Sequence, residues 1–590
     1  METGKALQVY DYMIILGYFC IVLGTAYYFS KRIKITKDFF SAGGNIPWWL
    51  SGISFFMASF SALAFVMYAE LSYQYGIISI LIYQLTVPAL IISALWVAKR
   101  WKRSRTDTPI QFLEKRYSLT IRQALAWTGI PLRIVDNALK IFSTAIFLYA
   151  GLKLSLISLP VSIAIIGIIS IMYSFMGGQW GVMVIDFIQF IILTIGVLLL
   201  FTLTVLKIGD LNLFFEQAPA DFFNPLSGPY RSINIFAIFI IIVIAMNSTW
   251  SLVQKYNCVK DEKDAEKVAW LVAALNFIGP IIFFIPAILA RVLLPELPNP
   301  KYSYAELAFT VLPFGLMGVM VAGMFSATLS TMGSEFNVLA GIITTDFYKR
   351  ILRPKASEKE LIIIGRITTI IIGAMIVLIA IMISFLHEYS LFDIMMKAFG
   401  AILPATALPI LLGMFWKKIN VRGALTGLIV GAISGTTLII INVYLVNHFS
   451  PQFDSNPELK YWLKQGWDAY SIIFNVCITI LALYLGSIFK KESIEENQHI
   501  DAYFKDLKTL LRIMTPRRME ALKTLHEHGP ISVRALAKTL GRDYKNVHKD
   551  MQEMEKIWWF IVAFVRALAQ HRGRAFLRSL MQQAANQSDK

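Results

Sequence analysis

The stretch Phe55-Phe56-Met57-Ala58-Ser59-Phe60-Ser61-Ala62-Leu63-Ala64 lies in the middle of an apolar run that extends from 47 to 72. Such a run can cross a bilayer as a helix, because a span needs about 20 mostly apolar residues. Small and hydroxyl-bearing residues are concentrated at its centre, where an interruption of the helix is easiest to satisfy with hydrogen bonds. The same pattern is typical of a stripe of small residues that packs two helices closely, and both interpretations are open at this point.

About a dozen further runs of this kind accompany it, which predicts an all-α integral membrane protein with about thirteen transmembrane helices. The chain of 590 residues is 56% hydrophobic and 16% charged, whereas soluble proteins average roughly 45–50% and about 25%. Three cysteines are too few and too widely spaced for a disulfide framework or a zinc site. The predicted spans lie near 11–29, 47–72, 77–98, 124–150, 157–176, 182–206, 233–253, 268–294, 306–344, 361–386, 391–415, 423–446 and 468–489.

Lysine and arginine cluster in alternate loops of this pattern. The cationic loops are 31–37, 99–105, 255–267, 349–355, 417–418 and 490–491, and the cation-poor loops are 74–77, 151–156, 207–231 and 387–390. Short cytoplasmic loops retain positive charge, so we predict a multi-pass protein of the cell (inner) membrane with its N-terminus outside and its C-terminus in the cytoplasm. Residues 1–10 lack a strongly basic start, so we expect no cleavable signal peptide.

The composition changes near residue 490, and residues 510–590 carry 15 Lys and Arg against 7 Asp and Glu. We predict four segments: a transmembrane domain at 1–490, a cytoplasmic linker at 491–514, a helix-turn-helix-like segment at 515–556 and an amphipathic basic tail at 557–590. The sequence 531–550, with a turn at Gly541, resembles the helix-turn-helix of small winged-helix regulators, which would place a basic helix in a DNA groove. A solvated basic face explains the same pattern, and nucleic acid contact is considered for this tail alone.

Four motifs in the membrane part occur in a characteristic order. They are Asp38-Phe39-Phe40-Ser41-Ala42-Gly43-Gly44-Asn45-Ile46-Pro47-Trp48-Trp49-Leu50-Ser51-Gly52; Met176-Gly177-Gly178 followed by Val184-Ile185-Asp186-Phe187-Ile188-Gln189; Ser326 to Asn337 followed by Thr345-Asp346-Phe347-Tyr348; and Gly413-Met414-Phe415-Trp416-Lys417-Lys418. Together they resemble the sodium:solute symporter family, which includes sodium-coupled sugar, sialic acid, proline and pantothenate transporters. The resemblance covers about residues 8–508. It implies two inverted five-helix repeats of the LeuT type, with one extra helix in front and two behind.

The resemblance implies one sodium site between the second and ninth spans. Its ligands would be the carbonyls of Met57, Phe60 and Ala327 and the hydroxyls of Ser330 and Thr331. Sodium is a hard cation that prefers several oxygen ligands, and backbone carbonyls become available where a helix is interrupted. Serine and threonine in membrane helices also bond back to their own helix, which is the alternative interpretation.

Asp186 lies inside the sixth predicted span, where an ionised carboxylate is costly and usually functional. In some members of the family an equivalent acid helps to bind a second sodium ion, together with serines of the helix that bears Ser330. The matching positions here include Ser334, but Gly333 removes one expected hydroxyl. Three interpretations are open: a second sodium site formed by Asp186 and Ser334, a structural hydrogen bond to the Ser330 helix, and a proton carrier.

Charged and hydroxyl-bearing residues within other spans are candidates for solute contact. Asp136 and Lys140 have the i,i+4 spacing of an internal ion pair, and Asp393 and Lys397 repeat it. In sialic acid members a cation near the position of Lys140 meets the substrate carboxylate, so the resemblance makes Lys140 a candidate anchor for an acidic sugar. The other candidate substrate residues are Ser59, Ser61, Asn247, Ser248 and Thr249.

The sequence contains no phosphate-binding loop and no nucleophile triad, so we predict neither an enzyme nor an ATP-driven pump. We predict a sodium-coupled secondary active symporter that imports a small organic solute by alternating access, with a sugar as the first choice. The alternatives are an acidic sugar of the sialic acid type, an amino or organic acid, and a membrane-tethered solute sensor with a nucleic-acid-binding tail. The sequence does not indicate an oligomeric state.

Overall fold

The computed structural model describes residues 7–30, 44–104, 106, 109–152, 158–176, 179–209, 211–219, 221–385, 390–453, 455–488 and 533–550. Every regular element within these ranges is a helix, apart from an isolated bridge between Ile46 and Val259. The chain divides into two units, Met1–Lys490 and Lys491–Lys590, which are described one at a time.

The first unit is built from long apolar helices in chain order. They are α1 (Val9–Ser30), α2 (Trp48–Ser59), α3 (Ala62–Tyr75), α4 (Ile78–Arg103, in four consecutive pieces), α5 (Pro109–Arg116), α6 (Leu119–Leu152), α7 (Leu159–Met176), α8 (Gln179–Ile208), α9 (Leu211–Gln217), α10 (Ser232–Ser248), α11 (Trp250–Cys258), α12 (Glu262–Leu293), α13 (Ser303–Val311), α14 (Leu316–Ile342), α15 (Glu358–Ser384), α16 (Leu391–Phe415), α17 (Val421–Phe449), α18 (Pro457–Tyr461) and α19 (Trp467–Ile488).

Each predicted span coincides with one helix or with one bent pair of helices, except 306–344, which covers α13 and α14. Among the described residues, nine helices are long and apolar enough to cross a membrane, and two bent pairs raise the number to eleven. The two remaining predicted spans are α7, whose apolar part is shorter, and α6, which carries several buried charged side chains. Apolar side chains on the outer faces, such as Leu206, Leu378 and Met382, are 63–70% exposed. Lipid is the solvent that suits such a surface, so the prediction of an all-α integral membrane protein is confirmed.

Two spans are interrupted in their middle. Helices α2 and α3 meet at an angle of 55°, and α10 and α11 meet at 44°. Phe60 and Ser61 have extended backbones between α2 and α3, and Thr249 is extended between α10 and α11. The small residues of the second span therefore interrupt the helix. The two breaks fall in the second and seventh spans, five spans apart, which is the spacing that two five-helix repeats require.

The aromatic ring of Phe60 holds the first break in place. This ring is fully buried and packs against Phe65 and Phe283 with centroid separations of 4.6 Å. Tyr83 and Phe56 complete the cluster at 5.7 Å. Aromatic pairs of this kind contribute about 0.5–1.5 kcal/mol each beyond the burial of their surface. The cluster therefore stabilises the extended backbone at Phe60 relative to a continuous helix.

The long predicted run at 306–344 is divided into two helices. It breaks after Val311, and Gly315 supplies a backbone angle φ of +85° just before α14 begins. Beyond Ile342 the chain continues as a π-helix to Leu352. The central part, α14, is consequently a single continuous helix that can line a site along its length.

A row of glycines lets α17 lie directly against its neighbours. Gly423, Gly427, Gly431 and Gly435 recur at every fourth position on one face. An added Cβ at Gly435 would come within 2.1 Å of the Ala401 carbonyl oxygen of α16, and the other three positions face α19 or α16 at 1.9–2.5 Å. Small residues at such spacing are the usual means of close helix packing in lipid.

The described part of the second unit is a pair of short helices. Val533–Thr539 forms α20, Gly541 turns the chain with a φ of +60°, and residues 544–550 are helical again. Leu536 and Val547 pack between the two helices, and Arg542 pairs with Asp550 at 2.7 Å. The predicted turn at Gly541 is therefore present. The predicted linker at 491–514, residues 515–532 and 551–556 of the predicted segment at 515–556, and the basic tail at 557–590 lie outside the described residues.

Candidate functional site

The hydroxyl of Thr331 meets two backbone carbonyls at the first break. Thr331 Oγ1 lies 3.3 Å from the Met57 carbonyl oxygen of α2 and 3.0 Å from the Ala327 carbonyl oxygen of its own helix. Thr331 is 1% exposed and Met57 and Ala327 are fully buried. The single hydroxyl hydrogen of Thr331 can form a good hydrogen bond with only one of the two carbonyls. The three oxygens, Thr331 Oγ1 and the two carbonyl oxygens, can therefore accept more hydrogen bonds or ion contacts than the one hydrogen supplies. A cluster of this composition fits a hard cation.

Phe60 and Ser330 lie next to this cluster in the chain. The amide of Ala64 donates to Ser61 rather than to Phe60, so the Phe60 carbonyl is outside the helical hydrogen-bond ladder. The hydroxyl oxygen of Ser330 is buried and has no hydrogen-bond partner among the described residues. Because unsatisfied buried oxygens are rare in proteins, these groups have acceptor capacity available for a ligand.

Asp186 has two partners on other helices. Its carboxylate oxygen Oδ2 accepts a hydrogen bond from Ser54 of α2 and lies 4.0 Å from Lys255 Nζ of α11, and both charged side chains are fully buried. The second oxygen, Oδ1, has no partner in the described part of the chain. The Ser330 hydroxyl is close enough to interact with Asp186 without forming a hydrogen bond of normal geometry. Asp186 thus contacts α2 through Ser54 and α11 through Lys255.

Lys255 does not belong to the cationic loop that was predicted from the sequence. Its position at the start of a cationic loop suggested a topology signal, but it is fully buried in α11. Ser51 of α2 donates a hydrogen bond of 2.8 Å to the Lys255 carbonyl, which attaches this turn of α11 to α2. The side chain of Ser334, the other proposed ligand of a second sodium ion, is outside the described residues.

A cavity of about 950 Å³ opens beside the first break. Four of the six predicted substrate residues line it, namely Ser59, Ser61, Lys140 and Thr249. Asn247 and Ser248 are buried behind its wall: the Asn247 amide donates to the Val243 carbonyl at 2.9 Å, and the Ser248 hydroxyl donates to the Ile244 carbonyl at 2.7 Å. Their side chains shape the second break and do not face the cavity.

The charged residues of the cavity are paired with one another. Lys140 Nζ donates to Asp136 Oδ2 at 2.7 Å, which is the predicted i,i+4 pair. Arg133 lies 3.7 Å from Glu335 of α14, and Glu335 also accepts a hydrogen bond from Ser251 of α11. The cavity wall therefore carries two cations and two carboxylates, and its net charge is zero.

The second predicted i,i+4 pair does not form as expected. Lys397 Nζ lies 2.6 Å from Asp468 of α19 and 2.7 Å from the Asn442 amide oxygen of α17, while Asp393 lies in the first turn of α16. A tertiary partner takes precedence here because α19 places a second carboxylate beside the same lysine. This pair fastens α16 to α17 and α19.

Several wall residues were not anticipated from sequence. Arg133 and Glu335 lie on different helices, 202 positions apart in the chain, so no local spacing connects them. The aromatic lining, Tyr68, Tyr83 and Phe392, comes from three separate helices. The one local signal was the presence of buried charge within predicted spans, which marks Arg133 and Glu335 as functional candidates in the same way as Asp186.

Two family models match parts of this chain. The family model described as "Sodium:solute symporter family" matches residues 39–431, and a second model, described as "HVO_A0114", matches residues 513–574. The second match does not support the winged-helix resemblance of the tail.

Among the relatives, the bovine (Bos taurus) sodium/myo-inositol cotransporter 2 is 26% identical over 77% of this chain and 73% of its own. The Vibrio parahaemolyticus sodium/glucose cotransporter is 26% identical over 72% and 84%. The Aliivibrio fischeri sodium/sialic acid symporter NanT is 26% identical over 77% and 95%. These relatives are sodium-coupled transporters and not enzymes.

Among solved structures, the substrate-bound, outward-open state of a Na⁺-coupled sialic acid symporter superimposes with a TM-score of 0.67. It is 22% identical and covers 82% of this chain and 100% of its own. This similarity confirms the predicted LeuT-type fold of the membrane unit.

The Arg133 and Glu335 pair provides a test of the cavity wall. We expect Glu335→Gln to destabilise the protein by about 3–5 kcal/mol, because it leaves a buried guanidinium without its carboxylate. The double variant Arg133→Met/Glu335→Gln removes both charges and should recover much of that loss. Thermal unfolding of the purified protein in detergent measures both effects. Equal destabilisation by the single and double variants would show that the pair is not coupled.

Proposed function

The chain belongs to the sodium:solute symporter family, and from this we propose that it imports a sugar together with sodium by alternating access. Sodium would bind to the oxygens of Met57, Phe60, Ala327, Ser330 and Thr331. The solute would occupy the adjacent cavity of about 950 Å³. The convergence of Thr331 on the carbonyls of both α2 and α14 is the observation that carries this proposal.

The position of the ion explains how it could select a conformation. A cation bound between Met57 and Thr331 would attract oxygens from two helices of different repeats, so it stabilises the arrangement in which these helices are adjacent. Coupling requires that sodium and solute each bind one conformation better than the other. One charge crossing the membrane supplies about 2.3 kcal/mol per 100 mV, in addition to the sodium gradient.

The chemistry of the cavity favours a neutral polyhydroxylated solute. Ser59, Ser61, Thr86 and Thr249 bring hydroxyls to the wall, and Tyr68 is among the aromatic residues that could cover an apolar sugar face. The Thr86 hydroxyl is buried without a hydrogen-bond partner among the described residues, so it is available to a ligand. The charges of the wall compensate one another, which leaves no excess cation for an anionic solute. Relatives of this chain are cotransporters of glucose and myo-inositol.

An acidic sugar is the second candidate, and a specific observation favours it. Lys140 lines the cavity, and its partner Asp136 lines the same wall. A solute carboxylate could replace Asp136 as the partner of Lys140. One relative at 26% identity is a sialic acid symporter.

The distribution of polar space supports a proposal for the orientation of the chain in the membrane. A second, wider cavity of about 1600 Å³ is lined by charged and polar residues at the ends of α3, α10 and α16, including Glu70, Arg231 and Asp393. This is the end that carries the cation-poor loops. We propose that it is the outer entrance, so that the N-terminus faces outside and the C-terminus the cytoplasm.

The tail allows a different proposal, in which the membrane unit senses a solute and the tail binds nucleic acid. Arg534 and Lys545 belong to the helix pair around Gly541, and a basic second helix of this kind is the feature that DNA-binding pairs use. A pair of short helices alone is common to many kinds of protein. We therefore retain transport as the function of the chain and treat the tail as dispensable for it.

The sodium site is tested by uptake into proteoliposomes under an inward sodium gradient, with a matched potassium gradient as reference. We expect Thr331→Ala to raise the half-saturating sodium concentration by at least about tenfold, because an oxygen that faces a charged group contributes about 1.5–3 kcal/mol. Thr369→Ala is the matched control, since that hydroxyl bonds only to the Gly365 carbonyl of its own helix. An unchanged sodium response in Thr331→Ala would place the ion elsewhere.

The charge of the solute is tested by removing one cavity pair as a unit. Lys140→Met/Asp136→Asn keeps the wall neutral, so we expect uptake of a neutral sugar such as glucose or myo-inositol to fall by less than about tenfold. Uptake of a sialic or uronic acid that depends on Lys140 should fall by about a hundredfold or more. Accumulation of an acidic sugar by the wild type, abolished in the double variant, would replace the neutral-sugar proposal.

The role of the tail is tested by ending the chain after Lys508. We expect sodium-dependent uptake per molecule to remain within about twofold of the full chain, because the family match ends at residue 431. Loss of uptake in a truncated protein that still elutes as a single folded species would show that the tail takes part in transport.

A further inference from the structure

The Asp186 and Lys255 pair bears on the number of sodium ions that the chain uses. Both side chains have an exposed fraction of zero, and Lys255 Nζ is 4.0 Å from Asp186 Oδ2. A buried carboxylate needs a positive charge beside it, because water cannot solvate it there. A sodium ion is one way to provide that charge, and a lysine ammonium group is another.

The lysine is held where a counter-charge is needed. Ser51 of α2 binds the Lys255 carbonyl at 2.8 Å, and the Ile46 amide binds the Cys258 carbonyl one turn later at 3.0 Å. Ser54, one turn along α2 from Ser51, donates to the Asp186 carboxylate. Helix α2 therefore positions the acid and the backbone that carries the base, and the pair does not depend on a flexible loop.

The oxygens around Asp186 fit a sodium ion poorly. Among the described residues, Asp186 Oδ1, Ser330 Oγ and Gln189 Oε1, one turn along α8 from Asp186, lack hydrogen-bond partners. A hard cation takes several oxygens, and position 333 contributes none because it is glycine. A cation bound to Asp186 would also be close to the Lys255 ammonium group, and like charges at such separations in a dry interior repel strongly.

We propose that Lys255 is the built-in counter-cation of Asp186, and that the chain consequently binds a single sodium ion per transport cycle, at the Thr331 cluster. The proposal rests on the sodium-coupled function proposed above and adds its stoichiometry to it. In this proposal Asp186 has a structural role throughout the transport cycle, because its carboxylate is always paired with the Lys255 ammonium group and does not bind and release ions.

The wild-type protein provides the first test. Sodium is titrated against the thermal stability of the full purified chain without solute, and ²²Na and labelled-glucose or labelled-myo-inositol uptake are compared in proteoliposomes. We expect a Hill coefficient of about 1 for sodium and a flux ratio of about 1. Two ions per solute would overturn the proposal while leaving sodium symport intact. Absence of any sodium response in both assays would instead contradict the proposed function.

Variants of the pair provide the second test. Lys255→Met should leave Asp186 in need of a cation, so we expect a second sodium ion to bind and the Hill coefficient to rise toward about 2. Lys255→Arg keeps the charge and should retain the wild-type value, and Lys255→Met/Asp186→Asn should return to it. A folded Lys255→Met protein with an unchanged sodium titration would overturn the role of Lys255. If that variant fails to fold, the neutral double variant and the wild-type stoichiometry decide the question.

Discussion

A helix cannot be interrupted inside a bilayer unless other protein groups take over its backbone hydrogen bonds, and the structure depends on this constraint. The break at Phe60 and Ser61 frees carbonyls in the last turn of α2, and lipid offers them no partner. The Thr331 hydroxyl of α14 approaches the Met57 carbonyl, which has lost its helical donor and accepts only a long hydrogen bond of 3.4 Å from the Phe60 amide within the backbone. The position of α14 against α2 is thus required by the break, and the same requirement brings together the oxygens that suit a cation.

The buried charges obey a related constraint, because a lone charge is as costly in lipid as an open backbone. Asp186 lies opposite Lys255, Asp136 opposite Lys140, Arg133 opposite Glu335 and Lys397 opposite Asp468. Three of these four pairs join different helices, so each specifies which helices must be adjacent. Together they leave these parts of the interior without net charge. When a sodium ion binds, its charge is then not cancelled by an unpaired carboxylate of these pairs.

Sequence periodicity and composition were sufficient for the spans and for the Asp136 and Lys140 pair, because these features are local, and they gave the interruption of the second span as one of two interpretations. The partners of Asp186, Glu335 and Lys397 could not be predicted, because each belongs to a helix distant in sequence. Lys255 was misjudged for a definite physical reason: a count of cations along the chain cannot tell the last buried turn of a helix from the loop that follows it. Burial depends on tertiary packing, which places Ser51 and Asp186 around that turn.

The proposed ion and solute sites share one turn of backbone. Met57 offers its carbonyl to the Thr331 cluster, while Ser59, two residues later, lines the cavity. An ion that fixes the end of α2 would therefore fix the side chain that meets the solute, and a solute that holds Ser59 would favour the backbone geometry that the ion needs. Reciprocity of this kind is what thermodynamic linkage demands of two coupled ligands. In this chain it requires no distant pathway, because the interrupted helix itself connects the two sites.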